Sequence, residues 1–287
     1  MSTDPIREAA DLIADAEALL ICAGAGFGVD SGLPDFRGPE GFWRAYPAYR
    51  SLGLDFAELA DPVHFAADPA LAWGFYGHRL DLYRRTTPHA GFGTLHRWGT
   101  ALPGGFRVFT SNVDGQFQRA GFAEETIVER HGSIHRLQCT GPCAQRQWPA
   151  DEVQVDLDEE TMRARGPLPS CPDCGGLARP NILMFGDHSW VADHTSTAMD
   201  GLTTWLRPLR TARLVVIELG AGTAVPTVRR QAELASAARG ALIRINLREP
   251  AIRHGRGIEI PMGAAAAIAA IDELLPDRLR AAVETAG

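Results

Sequence analysis

The sequence predicts an α/β fold, a doubly wound parallel sheet with a smaller lobe inserted into it. Two observations carry this. Short apolar runs recur along the chain at Ala18 to Cys22, Arg107 to Thr110, Ile127 to Glu129, Asn181 to Met184, Leu214 to Ile217 and Ala241 to Ile245. Runs without apolar–polar alternation read as strands buried on both faces, the pattern of a parallel sheet covered by helices. Two stretches of another texture interrupt them: residues 39–87 are rich in aromatics and proline, and residues 136–178 are polar and hold four of the five cysteines. The reading is therefore a main domain of residues 1–38, 88–135 and 179–287. The insertions, helical 39–87 and metal-binding 136–178, form the small domain.

Asp4-Pro5 starts a helix, with aspartate as cap and proline at the first helical position. Ile6, Ala9, Ala10, Ile13 and Ala14 follow helical spacing, and Glu17 breaks the apolar face. After the strand at 18–22 comes Gly24-Ala25-Gly26. Its glycines let the backbone turn sharply and approach a ligand, and the amides of such a turn make a phosphate site. A turn of this kind is also often only a turn, and Val29 stands where a dinucleotide fingerprint has its third glycine. Asp35, Phe36 and Arg37 add an acid, an aromatic and a cation beside the loop, which suits a cationic ring and a phosphate.

In the first insertion, Asp68-Pro69 through Arg85 reads as a helix, and most aromatics read as its core. Tyr76 and Arg79 lie three residues apart, so they share a helical face. A phenol beside a guanidinium makes a carboxylate site; pairing of Arg79 with a neighbouring acid is the other reading. Ser111, Asn112 and Asp114 follow a strand at the carboxyl edge, where open α/β sheets bind ligands. Asn112 and Asp114 are pocket residues there or plain turn formers. Helices are expected over Val225 to Arg239 and Gly263 to Leu275.

Cys139-x3-Cys143 and Cys171-x2-Cys174, with 27 residues between the pairs, present two knuckles of two thiolates. Four such ligands enclose one tetrahedral zinc with no open position, so the metal is structural. Cys22, in an apolar strand, is expected as a buried thiol.

Composition narrows the function. The 28 cationic side chains are all arginine; the chain has no lysine. Schiff-base and P-loop lysine chemistry are excluded, and the protein cannot be a substrate for modification on its own lysines. A net charge of −7 gives no support for direct nucleic-acid binding. No apolar run reaches the roughly 18–20 residues of a membrane helix, and the first residues lack a secretory pattern. A cytoplasmic location and no membrane partner are the expectations.

Gly24-Ala25-Gly26 running into Gly32-Leu33-Pro34-Asp35-Phe36-Arg37-Gly38 resembles the NAD-binding signature of the sirtuins, which are NAD-dependent protein lysine deacylases. Gly28 stands where that family usually has serine. Thr110 to Gly115 is similar to its motif for nicotinamide and ribose, with Ser111 in place of glutamine. His131-Gly132 resembles its catalytic loop, which makes His131 the general base and Asn112 its catalytic neighbour; an imidazole suits that role. Arg179 to Asp187 resembles the segment that pairs with the peptide, placing Phe185 and Gly186 in substrate binding. Gly220-Ala221-Gly222-Thr223 replaces the family's turn beneath the phosphates, with Gly220, Ala221 and Gly222 as the cofactor contacts, and Asn246 matches its adenosine strand end. The resemblance thus implies a Rossmann-like domain, NAD as co-substrate, one structural zinc, and an acylated-lysine protein as partner. NAD contacts fall on Gly24, Ala25, Gly26, Asp35, Phe36, Arg37, Ser111, Asn112, Asp114 and the later turns. Tyr76-x-x-Arg79 resembles the subclass removing succinyl and malonyl groups. The implied products are nicotinamide, O-acyl-ADP-ribose and free lysine. An ADP-ribosyltransferase or NAD glycohydrolase of the same fold is the first rival, and a non-enzymatic NAD-sensing scaffold the second.

Overall fold

The computed structural model describes residues 4–34, 42–44, 46–141, 143–210 and 213–281. Its first helix is Pro5–Ala14, and the Asp4 carboxylate accepts the Ile6 amide at 3.0 Å. The strands in chain order are β1 (Ala18–Ala23), β2 (Phe106–Thr110), β3 (Ile127–Glu129), β4 (Gly132–Cys139), β5 (Trp148–Pro149), β6 (Asp156–Asp158), β7 (Arg163–Arg165), β8 (Ala178–Ile182), β9 (Leu214–Leu219), β10 (Gly240–Ile245) and β11 (Ile258–Ile260).

Six of these form one parallel sheet in the order β11-β10-β9-β1-β2-β3. The chain winds outward from β1 through β2 to β3, then returns to β9 on the other side and winds to β11. The direction reverses between β1 and β9, and such a switch point leaves a crevice at the carboxyl ends of the strands. The apolar run of β1 is explained by two covered faces. Leu19, Ile21 and Ala23 pack under the helices Pro5–Ala14, Ala90–Ala101 and Ala264–Leu274. Ala18, Leu20 and Cys22 pack on the opposite side, under Asp193–Leu206 and Thr227–Arg239. Each buried leucine or isoleucine contributes about 1.5–3 kcal/mol of transfer free energy.

One expected strand is corrected. The run Asn181 to Met184 does not join the parallel sheet. The strand there is β8, which ends at Ile182 and pairs antiparallel with β4 in a second sheet ordered β5-β4-β8. The reason is polar: Asn181 is buried, and its amide donates to Gln138 Oε1 on β4 at 2.8 Å and to the Val191 carbonyl at 2.9 Å. Only Arg130 and His131 separate β3, in one sheet, from β4, in the other.

The aromatic insertion folds into the short helices Pro47–Ser51, Phe56–Leu59 and Val63–Ala67 and the long helix Pro69–Arg85. Its rings pack with Ile134, Leu137 and Ala178 of the second sheet into a core of their own. The Trp73 indole donates to the Ala178 carbonyl at 2.9 Å, which fastens the long helix to β8. A Cβ on Gly74 would lie 2.0 Å from the Met162 carbonyl oxygen, so the helix touches the β6–β7 hairpin backbone to side. Gly74→Ala gains about 1 kcal/mol of helix propensity but meets a carbonyl that cannot swing away, at an overpacking cost of about 1–3 kcal/mol. The clash wins, and Gly74→Ala lowers the urea midpoint. Gly93, with nothing within 4 Å of its Cβ position, is the control. Gly93→Ala raises the midpoint; a rise in both would refute the contact.

Candidate active site at the carboxyl edge of the sheet

A cavity of about 810 Å³ opens at the switch point. Its walls hold Gly24 and Ala25 after β1, Ser111, Asn112 and Asp114 after β2, His131 after β3, and Gly220 to Val225 after β9. The helical insertion adds Tyr76, Arg79 and Tyr83, and the segment after β8 adds Leu183, Met184 and Phe185. One cavity therefore collects residues scattered over some two hundred positions.

The turns after β1 and β9 meet backbone to backbone. A Cβ on Gly24 would sit 2.6 Å from the Ala221 Cα, and one on Gly220 would sit 2.3 Å from the Phe27 nitrogen. The Gly24 and Gly26 amides donate to the Leu219 and Gly220 carbonyls at 2.9 and 3.0 Å. These amides are committed inside the protein, which narrows the expected phosphate cradle to the outer rim of the turn. Gly26 lies behind that rim. Asp35, Phe36 and Arg37 fall outside the described residues. A Cβ on Gly28 would meet Leu33 Cδ1 at 2.9 Å and stand 3.7 Å from Asp114 Oδ2, so Leu33 fills the space a serine would use.

Asn112 is fixed from both sides. Its amide nitrogen donates to Thr110 Oγ1 at 3.0 Å, and its carboxamide donates to the Gly24 carbonyl at 3.1 Å. Asp114 is buried, with Oδ1 accepting the Gln116 amide at 3.0 Å. Burial pushes its carboxyl up to about 6, against the pull of the Gln116 amide and Arg79. His135 is structural, with Nε2 3.0 Å from the Asp114 carbonyl.

His131 ends the link between the two sheets, and its carbonyl accepts the Leu183 amide at 2.9 Å. Gly132 has φ +75°, and a Cβ there would meet the Asn181 carbonyl oxygen at 2.1 Å, so glycine is required beside the histidine. Desolvation first, and then Arg130, push the imidazole down to about 4, leaving it neutral and able to accept a proton at ordinary pH.

Two residues before it, Glu129 is buried. Desolvation and then Asp114 push its carboxyl up to about 8, with Ser133 and Gln118 pulling the other way. The folded state thus holds a proton that the unfolded chain loses above about pH 4.5. That stability is fully present below the unfolded pKa and is lost as pH rises through about 8. Glu129→Gln, neutral at every pH, should gain in melting temperature relative to wild type between pH 5 and pH 9. An unchanged difference across that range would exclude Glu129 as the titrating group.

The segment after β8 is held by a buried ion pair. Arg179 donates to both Asp187 oxygens at 2.8 and 2.9 Å, and the Ser189 amide adds a bond to Oδ1 at 3.1 Å. Asp187, where the resemblance expects glutamate, thereby sets the course of Leu183 to Phe185. Phe185 is exposed on the cavity rim, while Gly186 lies beyond it at φ +66°. Asn246 does not face the cavity either. Its carboxamide donates to the Ala221 carbonyl at 2.8 Å and accepts the Arg248 and Glu249 amides at 3.1 Å, so it shapes the wall from behind. Sequence reasoning missed Glu249 and Tyr83. Tyr83 had a signal, since it follows Tyr76 by seven residues and Arg79 by four on the same helical face.

The four clustered cysteines come together between the end of β4 and the start of β8. Their sulfurs all lie within 4.8 Å of one another, with Cys139 to Cys174 at 3.7 Å and Cys143 to Cys171 at 3.6 Å. A tetrahedron of zinc–sulfur bonds of about 2.3 Å has edges of about 3.8 Å. The Gly176 amide points at Cys174 Sγ from 3.4 Å, and Gly175 turns at φ +71°. The donor set fits a structural zinc.

Residues 24–205 match the model of the Sir2 family. The chain belongs to the Sir2 family. Among similar proteins, NAD-dependent protein deacylase 1 of Pseudomonas aeruginosa is 36% identical over 186 residues, 63% of this chain and 67% of that protein. The NAD-dependent protein deacylase of Pyrococcus furiosus is 33% identical over 187 residues, 63% of this chain and 66% of that one. Its counterpart from Thermococcus kodakarensis is 35% identical over 185 residues, 63% of this chain and 65% of its own length. The Sir2 chain thus spans about two thirds of the length of the curated relatives it matches. Among solved structures, a mutant Sir2 homologue in complex with ADP-ribose superposes with a TM-score of 0.70 at 26% identity, covering 95% of this chain and 96% of that one. In the described residues no helix is long and apolar enough to cross a membrane.

Proposed function

We propose that this Sir2 family protein is an NAD-dependent protein lysine deacylase acting in the cytoplasm on acylated-lysine proteins. The observation that supports it most is the convergence of His131, Asn112 and Asp114 on one cavity with the turns after β1 and β9. Its volume lies at the upper end of ordinary small-ligand sites, about 300–1,000 Å³, as a dinucleotide and an acyl chain together require. NAD, consumed as a substrate, supplies an electrophilic ribose carbon and a hydroxyl that finally carries the acyl group.

The chain's residues have separate tasks in this reading. Asn112 and Asp114, fixed by backbone bonds, orient the nicotinamide carboxamide and ribose. His131, neutral through burial, takes the proton of a ribose hydroxyl. Gly24, Ala25 and the 220–222 turn hold the diphosphate end, Ser111 stands beside the ribose with Asn112 and Asp114, and Phe185 meets the peptide at the rim. Tyr76 and Arg79 face the same cavity from the helical insertion, and a buried cation there favours an acyl chain ending in a carboxylate. The test is incubation with NAD and a lysine-acylated peptide. Deacylation should give nicotinamide, O-acyl-ADP-ribose and deacylated peptide in equal amounts. Release of ADP-ribose with the peptide still acylated would favour a glycohydrolase or transferase instead.

A further inference from the structure

Arg79 and Tyr83 are 5% and 4% exposed, and both line the cavity. Arg79 Nε and Nη2 donate to the Tyr83 hydroxyl at 3.0 and 2.8 Å. The guanidinium lies 5.1 to 5.7 Å from the ring centres of Phe56, Phe75, Tyr76 and Tyr83, so it is held by rings as well as by a hydroxyl. Tyr76 is fully buried, and its hydroxyl has no hydrogen-bond partner among the described residues.

A phenol oxygen accepts up to two hydrogen bonds and donates one. Arg79 fills both acceptor places on Tyr83, which leaves the O–H as a donor, and no acceptor for it stands among the described residues. Burial raises the pKa of both phenols, so both keep their protons. Two hydroxyl donors and a cation thus share one helical face and one cavity wall. The complementary ligand group accepts several hydrogen bonds and carries negative charge.

We propose that Tyr83 is a third residue of an acyl-carboxylate site, holding Arg79 through its oxygen and giving its own proton to the carboxylate of a dicarboxylic acyl chain on lysine in a hydrogen bond. This rests on the deacylase reading and extends it beyond the Tyr76–Arg79 pair. Tyr83 then does two things with one atom. It sets which edge of the guanidinium meets the ligand, and it adds a donor polarised by that cation. A hydrogen bond to a charged group also costs more to lose than a neutral one, so the effect should fall on charged acyl chains.

The experiment compares succinyl-lysine with butyryl-lysine, a neutral chain of equal carbon number, on one peptide with NAD. Wild type and Tyr83→Phe are assayed for kcat/KM, and each is melted thermally. The succinyl-to-butyryl ratio should fall by about tenfold or more in Tyr83→Phe, mainly through KM, as expected for one lost bond to a charge. An unchanged ratio in a folded variant overturns the proposal, because a merely structural role lowers both substrates together. Tyr83→Met, which keeps bulk without a hydroxyl, gives the same ratio test if Tyr83→Phe does not fold. A wild-type enzyme that prefers butyryl-lysine overturns the carboxylate site itself, and one that deacylates neither peptide overturns the deacylase reading. These outcomes are distinct.

Discussion

His131→Ala should slow acyl transfer by about 10² to 10⁴-fold, the usual contribution of a general base. Binding of NAD should survive, because the turns after β1, β2 and β9 keep their backbone bonds without the imidazole. The neutral imidazole sits in the same wall as Asn112 and Asp114, and its backbone is clamped by the Leu183 amide. Removing the ring deletes the proton acceptor while leaving the clamp intact. Nicotinamide release and O-acyl-ADP-ribose should be followed together in single turnovers, with NAD binding measured by calorimetry. Transfer at the wild-type rate in the folded mutant would rule out His131 as the base. Unlike a histidine titrating near neutrality, this one is held neutral to about pH 4. Its protonation should therefore not limit kcat/KM between pH 6 and 8.

Cys171→Ser should be the most destabilising single change. Cys171 is buried at the base of its knuckle, with its amide bonded to the Gly176 carbonyl at 2.7 Å and its carbonyl to the Gly175 amide at 2.9 Å. Structural zinc in small domains supplies about 10–16 kcal/mol of apparent binding free energy, all of it available to folding. Losing even about 5 kcal/mol would lower the melting temperature by roughly 10–20 °C in a domain of this size. The measurements are metal content and thermal melting of wild type, chelated wild type and mutant. Fresh wild-type protein holding well under one zinc per chain, or melting unchanged after chelation, would refute the assignment.

Much of this arrangement was legible in the sequence, for identifiable reasons. β1, β9 and β10 are buried on both faces, so their apolar runs carry a signal that survives without tertiary context. The zinc knuckles are legible because ligand spacing is set by local geometry. β4 was not read as a strand because His135, Arg136 and Gln138 interrupt its apolar residues, and their partners lie far away in sequence. Gln138, for example, is satisfied by Asn181 and Val191. The helix Ala90–Ala101 hides behind three glycines, of which Gly99 makes room for the Phe106 ring. Asn246 was placed in the cofactor site by resemblance, but its carboxamide is spent on the backbone behind the wall. Tyr83 was overlooked for the opposite reason. An aromatic in an aromatic-rich helix looks like core until its hydroxyl is seen to accept Arg79.

The two-residue connection from β3 to β4 has a consequence for precision. Arg130 and His131 are anchored at one end by the parallel sheet and at the other by the antiparallel one, and the Leu183 amide fastens the His131 carbonyl from a third side. The histidine backbone is therefore registered to both sheets at once.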